Sequence, residues 1–153
     1  MNTYSLIVAL TTGLITSTGA QVTDYTAPLR QFATNRWESV EVLHIPCEIE
    51  TFHPVKPEGL TNNPAIHLKI NVVTPGFNRS MTDALKTVTA QPAHQEPVDV
   101  RWALIIVSTD GARLTMFAEC ESKNTVLCYI QGKRVAMSSG LIEYLNQLLA
   151  PFR

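Results

Sequence analysis

Histidines and carboxylates are the side chains of this sequence that could bind a metal or transfer a proton. The four histidines, His44, His53, His67 and His94, are separated by nine, fourteen and twenty-seven positions. Helical zinc motifs place two histidines three or four positions apart, so this spacing favours surface or hydrogen-bonded core histidines over metal ligands. The carboxylates are scattered, and no acid–base pair stands out. We therefore expect no metal, no cofactor and no catalytic residue that spacing alone identifies.

The three cysteines, Cys47, Cys120 and Cys128, match no zinc or redox motif. Free cysteine is among the most buried residue types, so buried, reduced thiols are expected. The alternative is a disulfide between Cys120 and Cys128, which fall on neighbouring candidate strands. The sequence also contains no GxSxG, Walker or GxGxxG motif. Chemistry based on those motifs is therefore not indicated.

The stretch 100–137 is the part of the sequence with the strongest strand pattern. Its first segment is apolar and rich in β-branched residues, and its second alternates, with Leu114 and Met116 on one face, expected to be buried, and Phe117 on the other. Asp110-Gly111 lies between the two and predicts a tight primed turn. A third strand follows a polar break. The candidate strands are 101–108, 113–120 and 125–131.

Helical patterns flank this stretch and set the fold class. Segments 24–37, 80–88 and 140–149 each carry apolar residues at helical spacing. Segments 39–50 and 66–73 are strand-like. These patterns predict an α+β fold, with an antiparallel or mixed sheet centred on a three-stranded meander at about 101–136 and two or three packed helices.

The first twenty residues support two interpretations. An apolar segment at 6–15 precedes small residues that end at Ala20, as at the cleavage site of a secretory signal peptide, although no Lys or Arg precedes it. Alternatively, 4–12 is a buried first strand. The first interpretation predicts a secreted protein and the second a cytoplasmic one. The apolar segment is too short to span a bilayer, so no membrane association is expected.

Length and composition indicate one globular domain covering 1–153. The chain has 153 residues, of which 45% are hydrophobic and 16% are charged, enough to bury a core without covalent staples. The formal net charge is −1, so the overall charge favours neither nucleic acid nor an anionic membrane as a partner.

Three parts of the sequence resemble a known family, the ribosome-inactivating proteins or rRNA N-glycosylases. The similarity covers the N-terminal half of the family's domain and is greatest to cereal-type members, while 66–95 fits as an insertion. The matching segments are YTAPLR at 25–30 with HIP at 44–46, RW at 101–102 with LTM at 114–116 and YIQGKR at 129–134, and GLIEYLNQL at 140–148.

This resemblance implies a function in which adenine is removed from large-subunit ribosomal RNA, inhibiting translation in defence or as a toxin. Tyr129 matches the family's adenine-stacking tyrosine, whereas Ile142 stands where a second tyrosine would complete the sandwich around the flipped base. The family's catalytic Glu-x-x-Arg motif is absent from this sequence. The resemblance thus implies a monomer that acts on ribosomes, and a truncated chain with weak activity or none.

A second hypothesis is a small secreted binding or inhibitor module without catalysis, whose meander edge pairs with a partner. Under it, Tyr129 is a cross-strand packing residue, as aromatic residues in strands commonly are. Arg101, Lys133 and Arg134 are then solvated charges at strand ends instead of a phosphate-facing patch.

Overall fold

A computed structural model of the chain describes residues 24–71, 75–95, 97–120 and 125–152. Within these ranges the chain forms helices and one antiparallel sheet, which confirms the α+β class. The expectations for 1–20, a signal peptide or a first strand, lie outside the described residues. The helices are α1 (Ala27–Thr34), α2 (Pro57–Asn62), α3 (Pro75–Thr87) and α4 (Gly140–Leu149), with a 3-10 turn at Ala150–Phe152. The strands are β1 (Trp37–His44), β2 (Ile66–Ile70), β3 (Ala90–Pro92), β4 (Val100–Ser108), β5 (Arg113–Glu119), β6 (Thr125–Ile130) and β7 (Lys133–Ser138).

The sheet has the strand order β2-β1-β4-β5-β6-β7-β3. Strands β4 to β7 follow one another in sequence, and each pairs antiparallel with the next. The part of the chain expected to form three strands therefore forms four, because β7 continues after the turn that ends β6. β1 joins β4 from the other side, with Val42 opposite Leu104.

One face of the sheet, here called the helix face, carries α1, α3 and α4. The alternating residues of β5 and β6 put Leu114, Met116, Val126 and Cys128 into this core, all at most 1% exposed. Leu145 of α4 belongs to the same cluster. Burial of one side of each strand and one stripe of each helix is the arrangement that the periodicity of the sequence predicts.

The opposite face, here called the α2 face, is only partly covered. Leu60 of α2 packs with Leu43 of β1 and with Ala103 and Ile105 of β4 in a smaller cluster. Strand β4 is therefore buried on both sides. Toward β5 and β6 the α2 face becomes half-exposed, as at Phe117 and Tyr129.

The turn at Asp110-Gly111 is not the two-residue primed turn that the sequence predicted. There, Gly111 has φ +83° and its N–H donates to the Ser108 carbonyl, so glycine occupies the fourth position of the turn. Hydrogen bonds from the Ser108 hydroxyl and the Ala112 N–H lower the pKa of Asp110. The two-residue turn with positive φ at both positions, as type I′ geometry requires, is Gln131-Gly132 between β6 and β7.

Helix boundaries also shift from those that the sequence suggests. α1 begins after Thr26, whose N–H and hydroxyl donate to Asp24, and Trp37 belongs to β1 instead of ending the helix. α3 begins at Pro75, five residues before the expected cap at Ser80. Proline is well suited to a first helical turn because its missing N–H has no partner to lose there.

The expectation of three reduced cysteines is wrong. Cys47, just after β1, forms a disulfide with Cys120 at the end of β5, with Cα atoms 6.0 Å apart. Cys128 remains a free, buried thiol, so the alternative bridge to Cys120 is also wrong. Cys120 lies beyond the end of β5, beside the loop that carries Cys47, whereas Cys128 is buried within β6 in the helix-face core.

Candidate functional site

Tyr129 lies on the half-exposed part of the α2 face. It is directly opposite Phe117 on β5 and directly opposite Arg134 on β7. Side chains at such positions have Cβ atoms about 4.5–5.5 Å apart, close enough for two rings to form one surface. Phe117 and Tyr129 together, here called the aromatic pair, therefore place two aromatic side chains next to each other on this face.

The aromatic pair lines a cavity of about 420 Å³. This volume falls within the range of roughly 300–1,000 Å³ that is usual for small-molecule sites. Across from the sheet, the start of α2 provides one cation and one carboxylate. The lining residues are Lys56, Pro57, Glu58, Pro97, Thr115, Phe117, Tyr129, Gln131 and Gly132.

Gln131 is hydrogen-bonded to β5 at the rim of this cavity. Its Nε2 donates to the Arg113 carbonyl at 2.7 Å, and its Oε1 accepts from the Thr115 N–H at 3.3 Å. Its φ of +50° is uncommon for a residue other than glycine. The two side-chain bonds to β5 help to hold Gln131 in this conformation and fix the direction of its amide.

A second cavity of about 310 Å³ adjoins the first along α2. It shares Pro57, Glu58 and Phe117 with the first cavity and adds Thr61 and Asn62. The space between α2 and β5 is thus a groove with a polar helix on one side and an aromatic ring on the other.

Tyr129 and Ile142, the two residues that the resemblance places on either side of an adenine, are not brought together. Ile142 is fully buried in the helix-face core, within α4. Tyr129 points to the α2 face of β6, because its neighbours Cys128 and Ile130 are the buried residues of that strand. The sheet separates the two side chains, so they do not form a sandwich in this fold.

The three basic residues considered for a phosphate-facing patch also separate. Arg101 is buried at 5% exposure and forms an ion pair with Asp99, so it belongs to the interior. Lys133 and Arg134 are exposed at the start of β7. Of the three, Arg134 is the residue that pairs directly with a member of the aromatic pair, since it lies opposite Tyr129.

Phe117 and Gln131 are site residues that sequence reasoning did not select. The alternation of β5 placed Phe117 on the face opposite the core, which was the available signal. That signal could not show that β6 would place Tyr129 beside it. Gln131 gave no signal, because its role depends on a backbone conformation that is unusual for its residue type.

Among the residues that the structure describes, no group of three His, Cys, Asp or Glu residues is arranged to hold a metal ion. No helix there is long and apolar enough to cross a membrane. His44 is buried, stacks on Trp102 at 3.7 Å between ring centroids, and lies 3.1 Å from the Arg101 carbonyl through Nδ1, as a hydrogen-bonded core histidine does.

Comparison of the chain with family models, curated proteins and solved structures found no match.

Proposed function

We propose that this chain is a non-catalytic binding module that holds an unpaired purine base on the aromatic pair of its α2 face. The observation that carries the proposal is the placement of Phe117 directly opposite Tyr129 at the base of the 420 Å³ cavity. A flat ring stacked there removes apolar surface from water on both partners, and base–aromatic stacking contributes about 1–3 kcal/mol per base.

Polar groups around the cavity favour a base over a wholly apolar ring. Gln131 has a fixed amide with capacity for one more donated and one more accepted hydrogen bond. Glutamine pairs with adenine through these two groups. Lys56 and Glu58 face the same space, and Arg134 lies on the adjacent strand for a phosphate.

The proposal is tested by titrating the folded chain with adenosine monophosphate and following Tyr129 and Phe117 by NMR or the heat of binding by calorimetry. Either Tyr129→Ala or Phe117→Ala should weaken binding by roughly 5- to 150-fold, the equivalent of one lost stacking partner. Leu127→Ala is the matched control, because Leu127 lies on the same strand and the same face but not in the cavity lining.

Two results would contradict the proposal. A chain that does not bind adenosine monophosphate, or one that loses affinity as much with Leu127→Ala as with Tyr129→Ala, would show that the aromatic pair packs the sheet and recognises nothing.

A second candidate is the rRNA N-glycosylase function that the resemblance implies, with a ribosomal RNA loop as the source of the base and inhibition of translation as the result. The position of Tyr129 in a cavity is what favours it. The burial of Ile142 on the other side of the sheet favours binding without catalysis instead. Adenine release from ribosomes separates the two, because only the glycosylase would produce free adenine.

We also propose that the chain acts as a monomer outside the reducing cytosol. The Cys47–Cys120 disulfide supports this location, because such bonds persist mainly in oxidising compartments. Cys47 is exposed and Cys120 half-buried, so glutathione would reach the bond in a cytosolic protein. Size-exclusion chromatography with light scattering tests the monomer, and mass spectrometry of alkylated protein from the native source tests the disulfide.

A further inference from the structure

The loop between β1 and α2 presents the most exposed aromatic side chain among the described residues. Every residue from 47 to 54, here called the Phe52 loop, is exposed and lies outside helices and strands. Phe52 is fully exposed, at 103%, and Ile49 is 43% exposed. A phenylalanine with no intramolecular packing forgoes about 1.5–3 kcal/mol of burial.

The N-terminal side of this loop is fastened to the body of the protein. Cys47 is bonded to Cys120 at the end of β5. Arg101 of β4 donates through Nη1 to the Ile49 carbonyl at 2.9 Å and through Nη2 to the Thr51 hydroxyl at 3.3 Å. A buried guanidinium is costly unless its N–H groups are paired, and here these pairs are with the loop.

The C-terminal side is fastened to the same place. The Val55 N–H donates to Asp99 Oδ1 at 2.7 Å, and the Val55 carbonyl accepts from the Val100 N–H at 2.8 Å. Asp99 Oδ2 in turn accepts from Arg101 Nε and Nη2, at 2.8 and 2.7 Å. Both sides of the loop are therefore hydrogen-bonded to the ion pair between Asp99 and Arg101, in addition to the disulfide on one side and the Val100 bond on the other.

A further hydrogen bond, within the loop, joins the residues on either side of Phe52. The Thr51 hydroxyl, which accepts from Arg101, donates to the His53 carbonyl at 2.8 Å. The residues before and after Phe52 are thus joined while its side chain points into solvent. These bonds restrict the conformations of the loop, so a partner that binds it has less free energy of ordering to supply.

An exposed segment with one large apolar side chain and restrained flanks offers an endopeptidase cleft a single anchor. A serine endopeptidase of the chymotrypsin type has a hydrophobic slot for one such side chain. Glu48 and Glu50, both exposed, make the loop acidic and favour an enzyme with basic groups around its cleft. We propose that the Phe52 loop is a substrate-like inhibitory loop for a serine endopeptidase with an apolar primary pocket, with Phe52 in that pocket.

The bonds that hold both ends of the Phe52 loop explain why such a complex would persist. If the seryl oxygen attacks the Phe52 carbonyl carbon, the bond to the His53 nitrogen breaks and that nitrogen gains the proton of the serine through the catalytic histidine. The new amine stays near the acyl group, because Val55 is held by Asp99 and Val100. The amine can then attack the ester carbonyl, lose its proton and regenerate both the peptide bond and the serine. The cycle consumes nothing.

The test uses the full chain with chymotrypsin and trypsin, a chromogenic peptide substrate, and electrophoresis to follow the integrity of the chain. We expect reversible inhibition of chymotrypsin by an intact chain. Phe52→Ala should weaken it by at least about 30-fold, as loss of a central anchor does. Phe52→Lys should transfer inhibition to trypsin, whose pocket takes a basic side chain. Phe152→Ala is the matched control, since Phe152 is also exposed but lies at the C-terminal end of the fold.

A further variant tests the fastening. Arg101→Lys keeps the charge but cannot reach Asp99, Ile49 and Thr51 together, so chymotrypsin should cleave it rapidly after Phe52. Circular dichroism would establish whether it is folded. If it is not, Thr51→Val removes the hydroxyl bridge at an exposed position and should have the same effect.

Three results would overturn the proposal: no inhibition of chymotrypsin by the parent chain, rapid cleavage of the parent after Phe52, or equal inhibition by Phe52→Ala. A folded Arg101→Lys or Thr51→Val chain that still inhibits without being cleaved would also overturn it. The outcome is independent of the purine-binding proposal, because no residue of the Phe52 loop lines that cavity.

Discussion

Two consecutive residues of β6 show how position on a strand decides what a side chain can do. Tyr129 faces the cavity of the α2 face, while Cys128 faces the helix-face core and is fully buried. Burial raises the pKa of the Cys128 thiol to about 12, because the thiolate would lose its hydration. The same strand thus carries an accessible ring and an inert thiol.

Cys128 should make the stability of the protein fall in alkaline solution. An unfolded thiol loses its proton near pH 8.5, whereas the folded one keeps it up to about pH 12. Between these values the unfolded state binds fewer protons, so the free energy of unfolding decreases by up to about 1.4 kcal/mol per pH unit. The stability is fully present below the lower value and is lost as the pH rises.

Urea unfolding of the parent and of Cys128→Ala at about pH 8 and about pH 10 measures this effect. The parent should lose about 2 kcal/mol more than the variant between the two conditions. Equal losses would mean that the thiol is accessible to solvent in the folded chain.

At the scale of elements, α4 shows which sequence features translate directly into packing. The expectation that α4 is buried through an apolar stripe is confirmed, since Leu141, Ile142, Leu145 and Leu149 are fully buried. Leu148, expected in the same stripe, is only half-buried at its edge. Helical periodicity is local, so it identifies the inward side without knowledge of the partner.

Leu145→Ala should therefore lower the free energy of unfolding by about 2–5 kcal/mol, through lost burial and a residual cavity. Gln147→Ala, on the exposed side of the same helix, should change it by less than about 0.5 kcal/mol. Chemical denaturation of both variants gives the comparison. A Leu145→Ala effect as small as that of Gln147→Ala would show that α4 does not pack on the sheet.

Alanine should have opposite effects on stability at two glycines, one in the Gln131-Gly132 turn and one at the start of α4. A Cβ at Gly132 would meet no atom within 4 Å, but its φ of +76° strains any L-residue by about 1–2 kcal/mol. Gly140, the first residue of α4, has equal space and no positive φ, and alanine there should stabilise the helix by up to about 1 kcal/mol. Melting temperatures that shift in opposite directions for Gly132→Ala and Gly140→Ala are the expected result, and shifts of the same sign would contradict it.

At the scale of the whole molecule, the sheet separates the residues that an adenine glycosylase would need together. Ile142 and Tyr129 lie on opposite faces, and the sequence has no Glu-x-x-Arg. Glu119, the carboxylate at the end of β5, accepts hydrogen bonds from the N–H groups of Val98 and Asp99. Glu119 therefore stabilises the loop before β4 and does not line the cavity.

We accordingly expect the 153-residue chain to release little or no adenine from purified ribosomes. Each missing electrostatic group commonly contributes about a hundredfold to a thousandfold in rate, and two are missing. Chromatographic detection of adenine measures the activity, with Tyr129→Ala as control. Efficient release that disappears in Tyr129→Ala would mean that other groups perform the chemistry.

The sequence predicted more of the fold than of the candidate site. The alternation of β5 assigned Leu114 and Met116 to the core and Phe117 to the other face, and both assignments hold. The cavity was not foreseeable, because its lining comes from α2, β5 and the β6–β7 turn, which only the folded chain brings together.

The sequence by itself determined the α+β class, the main strands of the meander and the inward side of each amphipathic element, because periodicity acts over a few neighbouring residues. Only the tertiary structure decided that β1 pairs with β4, that Cys47 bonds to Cys120 across 73 positions, and that Tyr129 lies beside Phe117 and away from Ile142. The reason is that register and pairing between distant segments depend on how all the apolar faces can be buried at once. No local pattern contains that information.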